Sequence, residues 1–157
     1  MSSDVTGEQR RAREQAAGEA WQAMYRLVFE REGHQRFHEA CDVTGLSAGV
    51  LKTLLRLEPG RPTPMKDLSD HFRCDPSYVT SLVDGLEAAG LAERRSHPTD
   101  RRVRMVVLSP SGEQALLQVQ KVLGEPPASF SALSTDELRR LRTVLAKLAG
   151  AEPPPPG

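Results

Sequence analysis

The sequence predicts a mainly α-helical protein with one small β-hairpin, and three observations carry that prediction. Apolar residues recur at helical spacing towards both ends of the chain. Thr63-Pro64, Asp75-Pro76 and Ser109-Pro110 each set an N-cap residue before a proline. Proline at the first helical position gives up a hydrogen bond that the position lacks anyway. Only residues 91–108 change character: LAERRS, HPTD and RRVRMVVLS read as strand, turn and strand, with turn chemistry at Pro98-Thr99-Asp100.

Residues 1–15 are polar and charged and are expected to be disordered. From Ala16, the spacing of Ala17, Ala20, Trp21, Met24, Leu27 and Val28 predicts a long first helix running to near Cys41. Ser47 is placed as an N-cap, with Leu46 stapling onto Leu51, and that helix is expected to stop at Pro59-Gly60. A short helix, MKDLSDHF, follows Thr63-Pro64. After a turn at Arg73-Cys74, PSYVTSLVDGLEAAG forms the next helix, with Gly90 where a C-terminal cap belongs. Two short helices joined by a tight turn make a helix-turn-helix, and a hairpin directly after them makes a wing. Further on, Leu116, Leu117, Val119, Val122 and Leu123 form an apolar face that breaks at GEPP. Ser134 and Glu137 read as a capping box, and Leu138, Leu141, Leu145 and Leu148 as a narrow helix–helix seam. The tail AEPPPPG, residues 151–157, reads as a Pro-rich disordered end. The expected organisation is a winged helix-turn-helix with a two-stranded β-wing at 46–109. Dimerisation helices at 16–45 and 110–150 flank it.

The formal net charge is zero. A protein that coats nucleic acid without specificity is usually basic, so any nucleic-acid site here is a local patch. Cys41 and Cys74 lie in unrelated contexts without metal-ligand spacing, which argues against a disulfide framework. No apolar segment resembles a signal peptide or approaches a membrane span, so a cytoplasmic protein without a membrane partner is expected.

In the helix that begins at Pro76, Val79, Leu82, Val83 and Leu86 fall on one face, and Ser77, Tyr78, Thr80, Ser81 and Asp84 on the other. Short polar groups near a helix N-terminus suit a major groove, and the free N–H groups there can hold a phosphate. An ordinary amphipathic helix looks the same, so the helix alone does not decide. The hairpin does. It concentrates Arg94, Arg95, Arg101, Arg102 and Arg104 against only Glu93 and Asp100. A solvated charge run is the bland alternative. Directly behind a recognition helix, arginines at a loop tip suit the enhanced negative potential of a narrow minor groove. Asp100 is expected to pair with a neighbouring arginine and hold it at a fixed angle.

From Asp75 to Gly112 the chain resembles the MarR family of winged helix-turn-helix transcription regulators. The resemblance rests on Leu86, Glu87, Gly90 and Leu91 at the helix end, on Asp100, Arg101 and Arg102 in the wing, and on Leu108, Ser109 and Gly112 at the start of the next helix. It implies that Ser77, Tyr78, Thr80 and Ser81 face the major groove and that Arg102, with Arg101, enters the minor groove. It also implies a homodimer on double-stranded DNA with a pseudo-palindromic operator, and repression of nearby genes relieved by a small-molecule effector. Gly85 departs from the family, where a basic residue is common. The departure removes a phosphate contact and costs the helix up to about 1 kcal/mol against alanine.

Other candidates are weaker. His34 and His38, with Glu30 a turn earlier, have a spacing that zinc can use, but no further ligand is evident, and neither a metal nor a cofactor is expected. Cys41 is a candidate redox sensor and Cys74 a small packed residue. No nucleophile with a base and orienter is found, so an enzyme is not expected. A winged-helix module that binds an acidic protein is the alternative from another class.

Overall fold

The computed structural model describes residues 2–150, apart from the side chains of residues 2–6 and 30–32. The chain forms two compact units, divided after Gly124. The first holds α1 (Ser2–Tyr25), a π-helical turn (Arg26–Arg31), α2 (Glu32–Thr44), α3 (Ala48–Leu54), β1 (Thr63–Pro64) and α4 (Met65–Phe72). It continues with α5 (Pro76–Ala88), β2 (Ala92–Ser96), β3 (Arg104–Leu108) and α6 (Pro110–Gly124). The second holds a short 3₁₀ turn (Ala128–Ala132) and α7 (Thr135–Leu148). The tail expected to be disordered lies outside the described residues.

The core of the first unit collects the inward faces that the helical periodicity assigns. Val79, Leu82, Val83 and Leu86 of α5 are all buried, against Leu51 and Leu54 of α3, Leu68 of α4, Val106 of β3 and Leu116 and Val119 of α6. Leu117 was placed on that apolar face but is 65% exposed. It lies one residue beyond Leu116, so the face that α6 turns to the core is narrower than its run of apolar residues.

Four other expectations need correction. The N-terminal segment is helical from Ser2 rather than disordered, and Arg10–Glu14 and Gln15–Glu19 pairs run along it one turn apart. The predicted single helix to Cys41 is interrupted by the π-helical turn. There a Cβ on Gly33 would meet the Val28 carbonyl oxygen at 2.0 Å. The helix after Ser47 ends at Leu54, several residues before Pro59. Tighter bonds from Arg56 to Thr53 and from Leu57 to Leu54 unwind it, and a turn over Glu58–Arg61 reverses the chain, with Gly60 at φ +69°. Ser47 occupies the N-cap, but its hydroxyl makes no cap hydrogen bond.

The wing is three-stranded rather than two-stranded, in the order β1-β3-β2. Thr63 pairs with Val106 and Pro64 with Met105, so this Thr-Pro pair serves first as strand and only then as helix start. Pro64 itself takes the N-cap position of α4, with an extended ψ of 136°. A proline lacks the ladder N–H and is tolerated at a sheet edge. The central β3 is buried along Met105–Leu108, as its run of apolar residues requires.

The other two proline starts hold. Asp75 caps α5, accepting from the Ser77 N–H at 2.8 Å. Ser109 caps α6, accepting from the Gly112 N–H at 3.0 Å. At the far end of α5, Gly90 at φ +71° closes a two-bond turn: Gly90 N–H to Glu87 O, and Leu91 N–H to Leu86 O. α6 starts on top of this turn. The Ser109 hydroxyl donates to Gly90 O at 2.6 Å, and the Ser109 N–H donates to Leu91 O at 3.0 Å. In the second unit, Ser134 and Glu137 form the expected capping box.

A Cβ on Gly112 would stand 1.8 Å from the Leu91 carbonyl oxygen, which is backbone and cannot rotate away. Gly112→Ala is therefore expected to lower stability by about 1–3 kcal/mol or more, read by thermal or urea unfolding. Gly124→Ala, with open space around its Cβ, serves as the tolerant control.

Candidate nucleic-acid interface

α4 and α5 are joined by Arg73-Cys74, where Arg73 takes the left-handed conformation at φ +50°. That non-glycine cap turns the chain tightly enough to set Asp75 and Pro76 at the start of α5. The Asp75 carboxyl is held below the ordinary carboxylate value, first by the Ser77 hydroxyl and then by the Ser77 N–H, against a small opposing desolvation.

Ser77, Tyr78, Thr80 and Ser81 are all exposed, so the outward face of α5 is where the periodicity places it. Two hydroxyls are committed as donors to their own helix: Thr80 to Pro76 O at 3.0 Å and Ser81 to Ser77 O at 3.3 Å. Each keeps acceptor lone pairs facing out. Tyr78 is less free than expected. Its hydroxyl lies 3.0 Å from where a Cβ on Gly49 would stand, so the ring leans against α3.

The five wing arginines separate into distinct roles. Arg101 and Arg102 are exposed, and neither guanidinium makes an ion pair among the described residues. Arg95 pairs with Glu93, both exposed. Arg104 reaches the Ser96 hydroxyl at 3.5 Å across the strand pair. Arg94 is not a free cation, contrary to expectation. Its side chain is 21% exposed and ion-paired with Glu87 and with Asp84 at 2.7 Å. Asp100 also differs from its expected role. Its carboxylate accepts from the Arg102 backbone N–H at 3.0 Å, and its carbonyl from the Val103 N–H at 3.0 Å. It therefore fixes the wing turn, not a guanidinium, because an aspartate reaches the N–H two residues on with the least chain ordering.

Sequence reasoning missed two residues. His97 organises the wing tip: its Nδ1 accepts from the backbone N–H groups of Thr99 and Asp100, each at 3.3 Å, and its backbone N–H donates to Val103 O at 3.0 Å. Lys66, at the start of α4, lines a groove of about 400 Å³ together with Pro76, Thr80, Arg102 and Arg104. Three basic residues thus line one groove between the helix-turn-helix and the wing. A basic residue in the first turn of MKDLSDHF was the available signal.

Gly85 has a packing reason. A Cβ there would meet Val50 Cγ2 at 2.7 Å, so the glycine lets α5 approach α3 closely, where a basic side chain would be excluded. Of the sensing candidates, the Cys41 thiol is pushed up by burial and by Asp42, with Lys52 opposing. His34 and His38 contact each other, Nε2 to Nε2 at 2.9 Å. Among the described residues, no three His, Cys, Asp or Glu side chains gather to hold a metal, and the Glu30 side chain lies outside them. Among the described residues, no helix is long and apolar enough to cross a membrane.

A capped recognition-type helix, a three-stranded wing and a shared cationic groove define a winged helix-turn-helix protein that binds DNA. Comparison with known proteins gives the family. The MarR family model matches residues 46–103. The HTH-type transcriptional regulator BilQ of Clostridium symbiosum is 25% identical over 127 residues, covering 80% of this chain and 88% of that protein. The uncharacterized HTH-type transcriptional regulator YdgJ of Bacillus subtilis is 32% identical over 114 residues, 70% of this chain and 66% of that protein. In fold, the chain superposes on apo MarR from E. coli with a TM-score of 0.67 at 20% identity, over 81% of this chain and 93% of that one. The chain belongs to the MarR family. It is a DNA-binding transcription regulator and not an enzyme.

The depressed Asp75 value has a defined sign. The stability it contributes is fully present above the ordinary carboxylate value of 3.8 and is lost as pH falls through the lower folded value. Asp75→Asn is expected to melt below the native protein at neutral pH, with the gap narrowing once the pH drops under 3.8. Melting curves from pH 2 to 7 read this, and a gap independent of pH would remove Asp75 from the acid response.

Proposed function

We propose that the chain is a cytoplasmic, homodimeric repressor that reads a pseudo-palindromic operator and is released by a small-molecule effector. The observation that carries the DNA-reading part is the groove shared by Thr80 of α5 and Arg102 and Arg104 of the wing. One duplex can engage the helix face and the wing together. Ser77, Thr80 and Ser81 enter the major groove, with Tyr78 at its edge. Thr80 and Ser81, whose protons point back to the helix, act as acceptors for the exocyclic amino groups of adenine or cytosine. Arg102, with Arg101, enters the adjacent minor groove, held there by a wing tip that Asp100 and His97 keep closed. Lys66, Arg95 and Arg104 supply phosphate contacts.

Two apolar surfaces support the homodimer. In the first unit, Trp21, Tyr25, Val28 and Phe29 are exposed along α1 and the π-helical turn, with the Tyr25 and Phe29 rings stacked at 5.0 Å. In the second, Phe130, Leu138, Leu141 and Leu145 line an open apolar groove of about 430 Å³. Exposed apolar patches of this kind mark interaction surfaces. A two-fold axis then implies operator half-sites about one helical turn (~10 bp) apart. The effector acts by binding more tightly to the dimer geometry whose recognition helices no longer match successive grooves. The raised Cys41 thiol does not favour thiolate-based sensing.

Light scattering at micromolar concentration is expected to give twice the 17.2 kDa chain mass. A clean monomer would remove the homodimer. Arg102→Ala is expected to leave melting within about 0.5 kcal/mol of the native protein while weakening operator binding. Each phosphate neutralised contributes a slope of roughly −0.9 in log affinity against log salt, and a dimer carries the change twice. Binding isotherms at several salt concentrations read both quantities. Native-like affinity for Arg102→Ala would mean that the wing does not touch DNA.

A further inference from the structure

We propose that Arg94 is a positioning residue that locks the wing to the recognition helix, and not a DNA contact. Arg94 sits on β2, paired with Val106 of the central strand, so its backbone moves with the wing. Its side chain reaches back along α5. Nη2 donates to the Thr80 carbonyl oxygen at 2.9 Å and lies 2.7 Å from Asp84 Oδ1, while Nη1 pairs with Glu87 Oε2. Glu87 in turn accepts the Arg94 backbone N–H on Oε1 at 2.7 Å. Thr80, Asp84 and Glu87 are four and three residues apart, a single stripe along two turns of the helix. One wing residue is therefore tied at four points to the helix that carries Thr80 and Ser81.

The chemistry requires arginine. A planar guanidinium presents its N–H groups in a fixed fork and can meet a carbonyl and two carboxylates at once. A lysine ammonium carries the same charge but is compact and cannot span all three. The side chain is mostly buried, so the pairing is less screened by water and salt than the Arg95–Glu93 pair at the surface. The network lies where the wing leaves α5, so its loss frees the hinge between the two elements that must meet adjacent grooves together.

This inference rests on the DNA-reading function above, and the test separates the two. Arg94→Gln and Arg94→Lys are compared with the native protein and Arg102→Ala on one duplex, selected from a random pool by the native protein. Isotherms are taken at several salt concentrations and at a temperature where circular dichroism shows every variant folded. Should Arg94→Gln fail to fold alone, the pair Arg94→Gln with Glu87→Gln removes the stranded carboxylate. Both Arg94 variants are expected to lose at least about tenfold in affinity, because a mis-set wing weakens a minor-groove contact in each half-site. Their salt slope should stay near native, whereas Arg102→Ala flattens it by roughly 0.9 per lost contact.

Three results would overturn the proposal. Native affinity in folded Arg94→Gln would make the network a matter of stability alone. A slope flattened as in Arg102→Ala would make Arg94 a phosphate contact. Full recovery in Arg94→Lys would reduce its role to charge neutralisation. If the native protein selects no duplex, the DNA reading and this inference fall together. If Arg102→Ala behaves as expected and Arg94→Gln binds like the native protein, only the inference falls.

Discussion

The turn at the end of α5 is the constraint on which the DNA-binding unit depends. Gly90 closes it by taking a positive φ that a side chain would resist. The carbonyls of Leu86 and Glu87 are consumed by that turn, and those of Gly90 and Leu91 by Ser109. Gly112 completes the arrangement by having no Cβ where the Leu91 carbonyl lies. The end of the recognition helix, the root of the wing and the start of α6 are thereby one object, held by the paired carbonyls of Leu86, Glu87, Gly90 and Leu91. This gives a physical reason for a leucine, a serine and a glycine at those spacings after the wing. They hold α6 onto α5.

From that fixed root the wing extends as a lever, and its angle to α5 decides whether helix and wing can engage one duplex. Ion pairs at a protein surface add little. The Arg94 network is different in kind because it lies half-buried across two elements and includes a backbone carbonyl. At the wing tip, hydrogen bonds that the His97 ring and the Asp100 carboxylate accept from backbone N–H groups serve the same end, and among the described residues neither Arg101 nor Arg102 makes an ion pair. The site therefore separates its cations. The mostly buried one holds geometry, and the exposed ones remain available to a polyanion.

The function was legible in the sequence because its elements are local. The Asp75-Pro76 start, the Gly90 stop and the four inward residues of α5 follow from capping and periodicity, and each holds in three dimensions. The exposed Ser77, Thr80 and Ser81 follow from the same periodicity. The ion pairing of Arg94 was hidden because a run of like charges looks uniform in one dimension. Glu87 and Asp84 lie seven and ten residues away along the chain and come into reach only when the hairpin folds back over the helix. Lys66 was passed over for the same reason, since its neighbours in the groove come from the wing.

By itself, then, the sequence determined that a capped helix with a polar face precedes an arginine-rich hairpin in an otherwise helical chain. Helix starts, stops and faces depend on residues within a turn or two of one another, so a local reading reaches them. Tertiary structure decided which arginine is ion-paired to the recognition helix, that Thr63-Pro64 belongs to a third strand, and that Gly85 is a close approach to Val50. Each of these depends on what a distant segment places opposite the residue: a carboxylate, an unpaired strand edge, a valine methyl. Spacing along one chain does not encode those partners, because they are set by how the elements pack.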